Sequence, residues 1–132
     1  VREGLVLALD AANTKSYPGS GTTWSDLTSN GNNGTLTNGP TFDSGNGGSI
    51  VFDGVDDYVS CGNLPTLDNM TIQMFVKVNS SNGSFNGFAA STGNSADYDS
   101  GFVIQMYGST TSFNTFNVEG GFLLMLWGIL LN

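Results

Sequence analysis

Residues 70–78 read Met-Thr-Ile-Gln-Met-Phe-Val-Lys-Val and alternate with a period of two. On an extended chain Met70, Ile72, Met74, Val76 and Val78 share one face, and Thr71, Gln73, Phe75 and Lys77 share the other. A helix would scatter the five apolar residues around its axis, so the segment predicts a β-strand with one buried face and one mixed face. Phe75 makes the second face mixed, and its expected place is the core. Little elsewhere favours helix. Gly, Asn, Ser and Thr make up nearly half of the chain; they favour turns, and Thr also suits strands. With 39% hydrophobic residues the chain can still bury a core. Its 132 residues suffice for one domain. The expected class is all-β with many loops.

Further elements follow from local pattern. The nearly continuous apolar run at 4–10 reads as a first strand buried on both faces. Residues 11–21 form a turn-rich loop, and Trp24-Ser25-Asp26-Leu27 a short apolar anchor. The pairs Asn30-Gly31 and Asn33-Gly34 mark tight turns, because both residue types tolerate positive φ. Residues 40–42 and the glycine cluster at 45–48 lead into a strand at 50–52. Residues 88–90, 102–107 and 115–118 read as strands, and 79–87 and 94–100 as loops. Residues 122–131 form an almost unbroken apolar run, roughly half of what a membrane-spanning helix needs. Three accounts fit it: an added buried strand or helix, an aberrant tail, or an interfacial or subunit-docking segment. Left exposed, it would promote aggregation.

The net charge of −8, with only Arg2, Lys15 and Lys77 positive, argues against nucleic acid and anionic membrane surfaces as partners, since phosphate binding needs a basic face. Acidity suits solvation outside cells and cation binding. The chain has no histidine, which removes Ser-His and Cys-His catalysis and the commonest zinc ligand. Cys61 is the single cysteine, so no internal disulfide forms, and beside a strand it is expected as a small packed residue. No basic, apolar leader opens the chain, which is expected to begin within a mature region or a larger polypeptide.

The candidate chemistry is acidic. Between the runs at 50–52 and 58–59 lie Asp53, Gly54, Asp56 and Asp57. A β-hairpin there would gather three carboxylates, whose repulsion must be relieved by water, a cation or backbone donors. Two readings stand side by side: a calcium site, for which carboxylates and glycine-exposed carbonyls supply the hard oxygen ligands, or a turn whose Asp side chains cap backbone N–H groups. Asp10 with Asn13, at a strand end, is a second metal candidate, again against a simple turn. Asp97 and Asp99 flank Tyr98 in a loop and suit an ion or sugar hydroxyls, or simply solvent. Trp24 and Tyr58 offer rings for sugar stacking, with a core anchor as the alternative for Trp24. Tyr17, Tyr98 and Tyr107 are expected to be the better exposed rings.

The runs Gly4-Leu5-Val6-Leu7-Ala8-Leu9-Asp10-Ala11-Ala12-Asn13, Trp24-Ser25-Asp26-Leu27, Asn30-Gly31-Asn32-Asn33-Gly34, Ile50-Val51-Phe52-Asp53-Gly54-Val55-Asp56-Asp57-Tyr58-Val59 and Thr71-Ile72-Gln73-Met74-Phe75-Val76-Lys77 occur in this order. That order resembles the laminin-G-like branch of the concanavalin A-like lectin/glucanase superfamily over residues 4–118. Similar modules occur in bacterial secreted proteins and phage structural proteins. The resemblance implies a jelly-roll sandwich of two antiparallel sheets, a concave sheet that carries a glycan, bound calcium, and an extracellular or virion location. Complete modules of the family are longer, so the expectation is a partial module over 1–121 followed by an apolar tail over 122–132.

Glycan hydrolysis needs two facing carboxyl groups. The glucanase relatives carry a Glu-x-Asp-x-x-Glu strand motif, whereas this chain has only Glu3 and Glu119, in contexts that do not fit it. The expectation is therefore a non-catalytic carbohydrate-binding module with calcium as its cofactor. The alternatives are a structural or adhesion domain of a surface assembly without a sugar site and, least favoured, a glycan hydrolase or lyase.

Overall fold

The computed structural model describes residues 4–65, 71–79, 85–92, 101–107, 113–115 and 123–131, with side chains over 4–65 and 71–79. The fold is all-β. Eleven strands are described: β1 (Leu5–Asp10), β2 (Thr23–Trp24), β3 (Gly34–Thr37), β4 (Thr41–Asp43), β5 (Ser49–Phe52), β6 (Tyr58–Ser60), β7 (Thr71–Val78), β8 (Phe85–Thr92), β9 (Gly101–Tyr107), β10 (Phe113–Thr115) and β11 (Leu123–Leu131). One 3₁₀ turn, Gly45–Gly47, interrupts them.

The expected alternation is present. Along β7 the positions of Ile72, Met74, Val76 and Val78 are half-buried, and those of Thr71, Gln73, Phe75 and Lys77 are exposed. Phe75 departs from its expected core position: it is 46% exposed, on the open face of the strand. In β1, Leu7 and Leu9 are fully buried and no residue is exposed. The strand at β8 is longer than the 88–90 pattern suggested. The short strand β3 begins at the Asn33-Gly34 pair that read as a tight turn, β2 ends on the Trp24 anchor, and β4 forms in the stretch that leads into the strand at 50–52.

Three sheets form. β2, β3 and β6 make one antiparallel sheet, and β8, β9 and β10 make another. The five-stranded sheet is mixed: β4 pairs antiparallel with β5, whereas β11 runs parallel to β1, β5 and β7. A continuous apolar run suits a central parallel strand, which has no solvated face. β1 lies opposite Leu123 to Trp127 of β11, and β5 opposite Ile129 to Leu131, so β1 and β5 follow one another along the same edge of β11. Their junction is tight. A Cβ on Gly48, whose φ is 128°, would stand 2.7 Å from the Ala11 carbonyl oxygen, so only glycine fits between the two strands.

The core joins two of the sheets. Leu7, Leu9, Ile50 and Phe52 come from β1 and β5, and Trp24 and Leu36 from β2 and β3, with Ala11 and Tyr17 completing the cluster. Each large apolar side chain buried this way contributes roughly 1.5–3 kcal/mol. Gly34 lies at the contact: a Cβ there would meet Val59 Cγ1 at 2.7 Å and Leu9 Cδ1 at 3.2 Å. Among the described residues no helix is long and apolar enough to cross a membrane.

Candidate functional site

The acidic turn links β5 to β6, but the two strands do not form the expected hairpin. β5 has β4 and β11 as neighbours, and β6 pairs with β3. The turn therefore carries the chain from one sheet to another. The reason lies in the core: Phe52 is buried with the β1 side chains, while Val59 packs beside Gly34 of β3. Each strand goes to the sheet that covers its apolar face.

The three carboxylates nevertheless come together. Asp53, Asp56 and Asp57 each place one carboxylate oxygen so that all three lie within 4.8 Å of one another. Asp53 and Asp56 are exposed and Asp57 is half-buried. Gly54 makes the approach possible with φ at 75°, a conformation costly for other residues. Backbone donors already meet part of the charge. Asp53 Oδ1 accepts the N–H of Val55 at 2.8 Å and of Asp56 at 3.4 Å, and Asp57 Oδ2 accepts the N–H of Asp53 at 2.9 Å. Outside the turn, the Asn38 side-chain amide donates to the Asp56 carbonyl at 2.9 Å. The turn-capping role is thus built into this segment.

Capping leaves oxygen capacity for a cation, because an ionised carboxylate offers about four lone-pair sites. Calcium holds oxygens at about 2.3–2.6 Å, so oxygens on opposite sides of it stand about 4.6–5.2 Å apart. A spread of 4.8 Å fits that span. Three carboxylates supply only part of the six to eight oxygens calcium takes; main-chain carbonyls and water would supply the rest.

The other expected sites separate from this cluster. Asp10 is not in the group. Its Oδ1 accepts the N–H of Ala12 at 3.0 Å, and its carbonyl accepts the N–H of Asn13 at 3.2 Å. Asn13 Oδ1 in turn accepts the N–H of Lys15 at 3.0 Å. These bonds build the turn after β1. Tyr17 is not an exposed ring: it is buried, its hydroxyl donates to the Gly21 carbonyl at 2.8 Å, and its ring lies 5.4 Å from that of Phe42. Burial raises its hydroxyl pKa. Trp24 is fully buried and serves as the core anchor, with no partner for its indole N–H among the described residues. Tyr58, directly after the acidic turn, is half exposed and remains available for stacking. Tyr107 lies in β9, where only the backbone is described; Asp97, Tyr98 and Asp99 fall outside the described residues.

Asp26 emerges as a structural centre that the sequence marked only as part of an anchor. Its carboxylate accepts the N–H of Ala8 at 3.0 Å, the N–H of Thr28 at 2.9 Å, the hydroxyl of Thr28 at 2.5 Å and the N–H of Asn32 at 3.0 Å. Burial pushes its pKa up, but these bonds outweigh that and hold it below the usual value. Cys61, half-buried nearby, has its thiol pushed up to about 11 by burial and then by the Asp26 charge. Such a thiol is inert rather than nucleophilic.

Comparison of the chain with protein-family models, with curated proteins and with solved structures gave no match.

Proposed function

We propose that this chain is a non-catalytic carbohydrate-recognition module of the jelly-roll type, acting at a cell or virion surface with calcium bound at Asp53, Asp56 and Asp57. The observation that carries the proposal is the convergence of three carboxylate oxygens within 4.8 Å on an exposed turn, next to the half-exposed ring of Tyr58. The ordered sequence motifs supply the family context. Sugar hydroxyls can enter a calcium shell in place of water, while an adjacent ring packs on the apolar face of the sugar. The mixed five-stranded sheet, with β11 parallel, is the feature that a jelly roll of antiparallel strands does not account for.

An exposed three-carboxylate site is of the weak class, with Kd on the order of 10⁻⁴–10⁻³ M. The test is thermal unfolding in 10 mM calcium and in chelator, together with an immobilised-glycan panel under both conditions. At [L] about 10–100 times Kd, stabilisation of about 1.4–2.7 kcal/mol is expected, and it should vanish in Asp56→Asn/Asp57→Asn. Unfolding indifferent to calcium removes the cation from the proposal. Absence of binding to every glycan, with and without calcium, removes recognition.

A further inference from the structure

β1 has one edge against β11, and among the described residues no strand pairs with its other edge, which is met by side chains and one main-chain N–H. Parallel pairing with β11 engages alternate residues; Val6, Ala8 and Asp10 direct main-chain groups to the opposite edge. There the Val6 carbonyl accepts the side-chain amides of Asn30 at 3.0 Å and Asn32 at 2.9 Å. The Ala8 N–H donates to Asp26 Oδ1 at 3.0 Å, and the Ala8 carbonyl accepts the N–H of Leu27 at 2.9 Å. The Asp10 N–H donates to Ser16 Oγ at 3.1 Å, and that hydroxyl donates onward to the Ser25 carbonyl at 2.6 Å. Residues 26–33 thus lie along β1 as a strap, and Asp26 ties the strap to itself through Thr28 and Asn32 while holding Ala8.

An edge strand exposes main-chain groups that template pairing with another chain. The groups under the strap have a particular symmetry. If two copies of β1 met antiparallel with Ala8 opposite Ala8, each Ala8 N–H would donate to the other's Ala8 carbonyl, and each Asp10 N–H to the other's Val6 carbonyl. Residues 26–33 now satisfy three of these groups, the Ala8 N–H, the Ala8 carbonyl and the Val6 carbonyl, and Ser16 Oγ satisfies the Asp10 N–H; the arrangement is a twofold, self-complementary contact. We infer that residues 26–33 are a strap latched by Asp26, and that the edge it covers, when opened, pairs with β1 of a second copy of the chain.

The test uses the full chain. Asp26→Asn keeps the shape of the latch but replaces one of its two acceptor oxygens, each of which takes two donors, with an NH₂. Analytical ultracentrifugation should show self-association at least tenfold tighter than in the unmodified chain, and hydrogen exchange at the Ala8 amide should quicken. Adding Ala8→Pro removes the outward N–H at a position where an edge strand accommodates proline, and should abolish the added association. Faster exchange at Ala8 with unchanged association overturns the pairing, as does a dimer that survives Ala8→Pro. Unchanged exchange overturns the latch. Should Asp26→Asn not fold, Asn30→Ala/Asn32→Ala opens the strap at Val6 and is held to the same association and proline readouts.

Discussion

At Gly34 a single methyl group would crowd both Val59 of the neighbouring strand β6 in its own sheet and Leu9 of the sheet it packs against. Val59 is β-branched and stiff at χ1, so it cannot withdraw from a Cβ placed 2.7 Å away. Gly34→Ala is expected to cost about 1–3 kcal/mol, read as a lower urea midpoint with an unchanged slope. Asp26 works in the opposite sense, by attraction. Its truncation to Ala deprives the Ala8, Thr28 and Asn32 amides of this acceptor and should cost about 2–3 kcal/mol. The pH dependence follows from the lowered pKa. Between the folded and unfolded values the unfolded chain binds more protons, so stability rises with pH there. The Asp26 contribution is fully present above about pH 4, the ordinary range of an Asp carboxyl, and is lost as pH falls through the lower folded value. Acid unfolding of the unmodified chain and Asp26→Asn should therefore converge as pH drops through this window. A constant gap between the two would show that the charge of Asp26 is not what binds the strap. Nothing in the local pattern around Trp24-Ser25-Asp26-Leu27 marks Asp26 for this role, because its partner Ala8 stands 18 residues away.

The period of two in β7 was readable from residues 70–78 alone because face alternation is a property of the extended backbone. Gln73→Lys on the exposed face should change stability by less than about 0.5 kcal/mol. Met74→Lys, which sets a charge against the core, should cost about 1–3 kcal/mol. Equal effects in chemical denaturation would contradict the burial pattern. The exposure of Phe75 was not readable, since it depends on what covers the second face of the sheet. The acidic turn shows the same division. That Asp53, Asp56 and Asp57 would meet follows from a short turn around Gly54. That the turn crosses between sheets depends on where Phe52 and Val59 find cover.

For the molecule as a whole, β11 is the strand on which the five-stranded sheet depends, since it alone joins β7 to β1 and β5 among the described pairings. Deleting residues 122–132 should expose the edges of β1, β5 and β7 together. Loss of cooperative thermal unfolding, with aggregates in light scattering, is the expected outcome; an unchanged transition would show that β11 adds nothing to the fold. The apolar sequence of this segment marked it as one that would promote aggregation if left exposed, as alternation and turn residues determined an all-β chain and the clustered aspartates a charged turn. These are local properties: period, conformational preference and hydrophobicity act within a few residues. Only the tertiary structure decided that β11 runs parallel between β1, β5 and β7, that β5 and β6 part to different sheets, and that Asp26 closes the edge of β1. Each of those outcomes is a pairing between distant segments, chosen by which apolar face and which main-chain edge remain to be covered once the rest of the chain has packed.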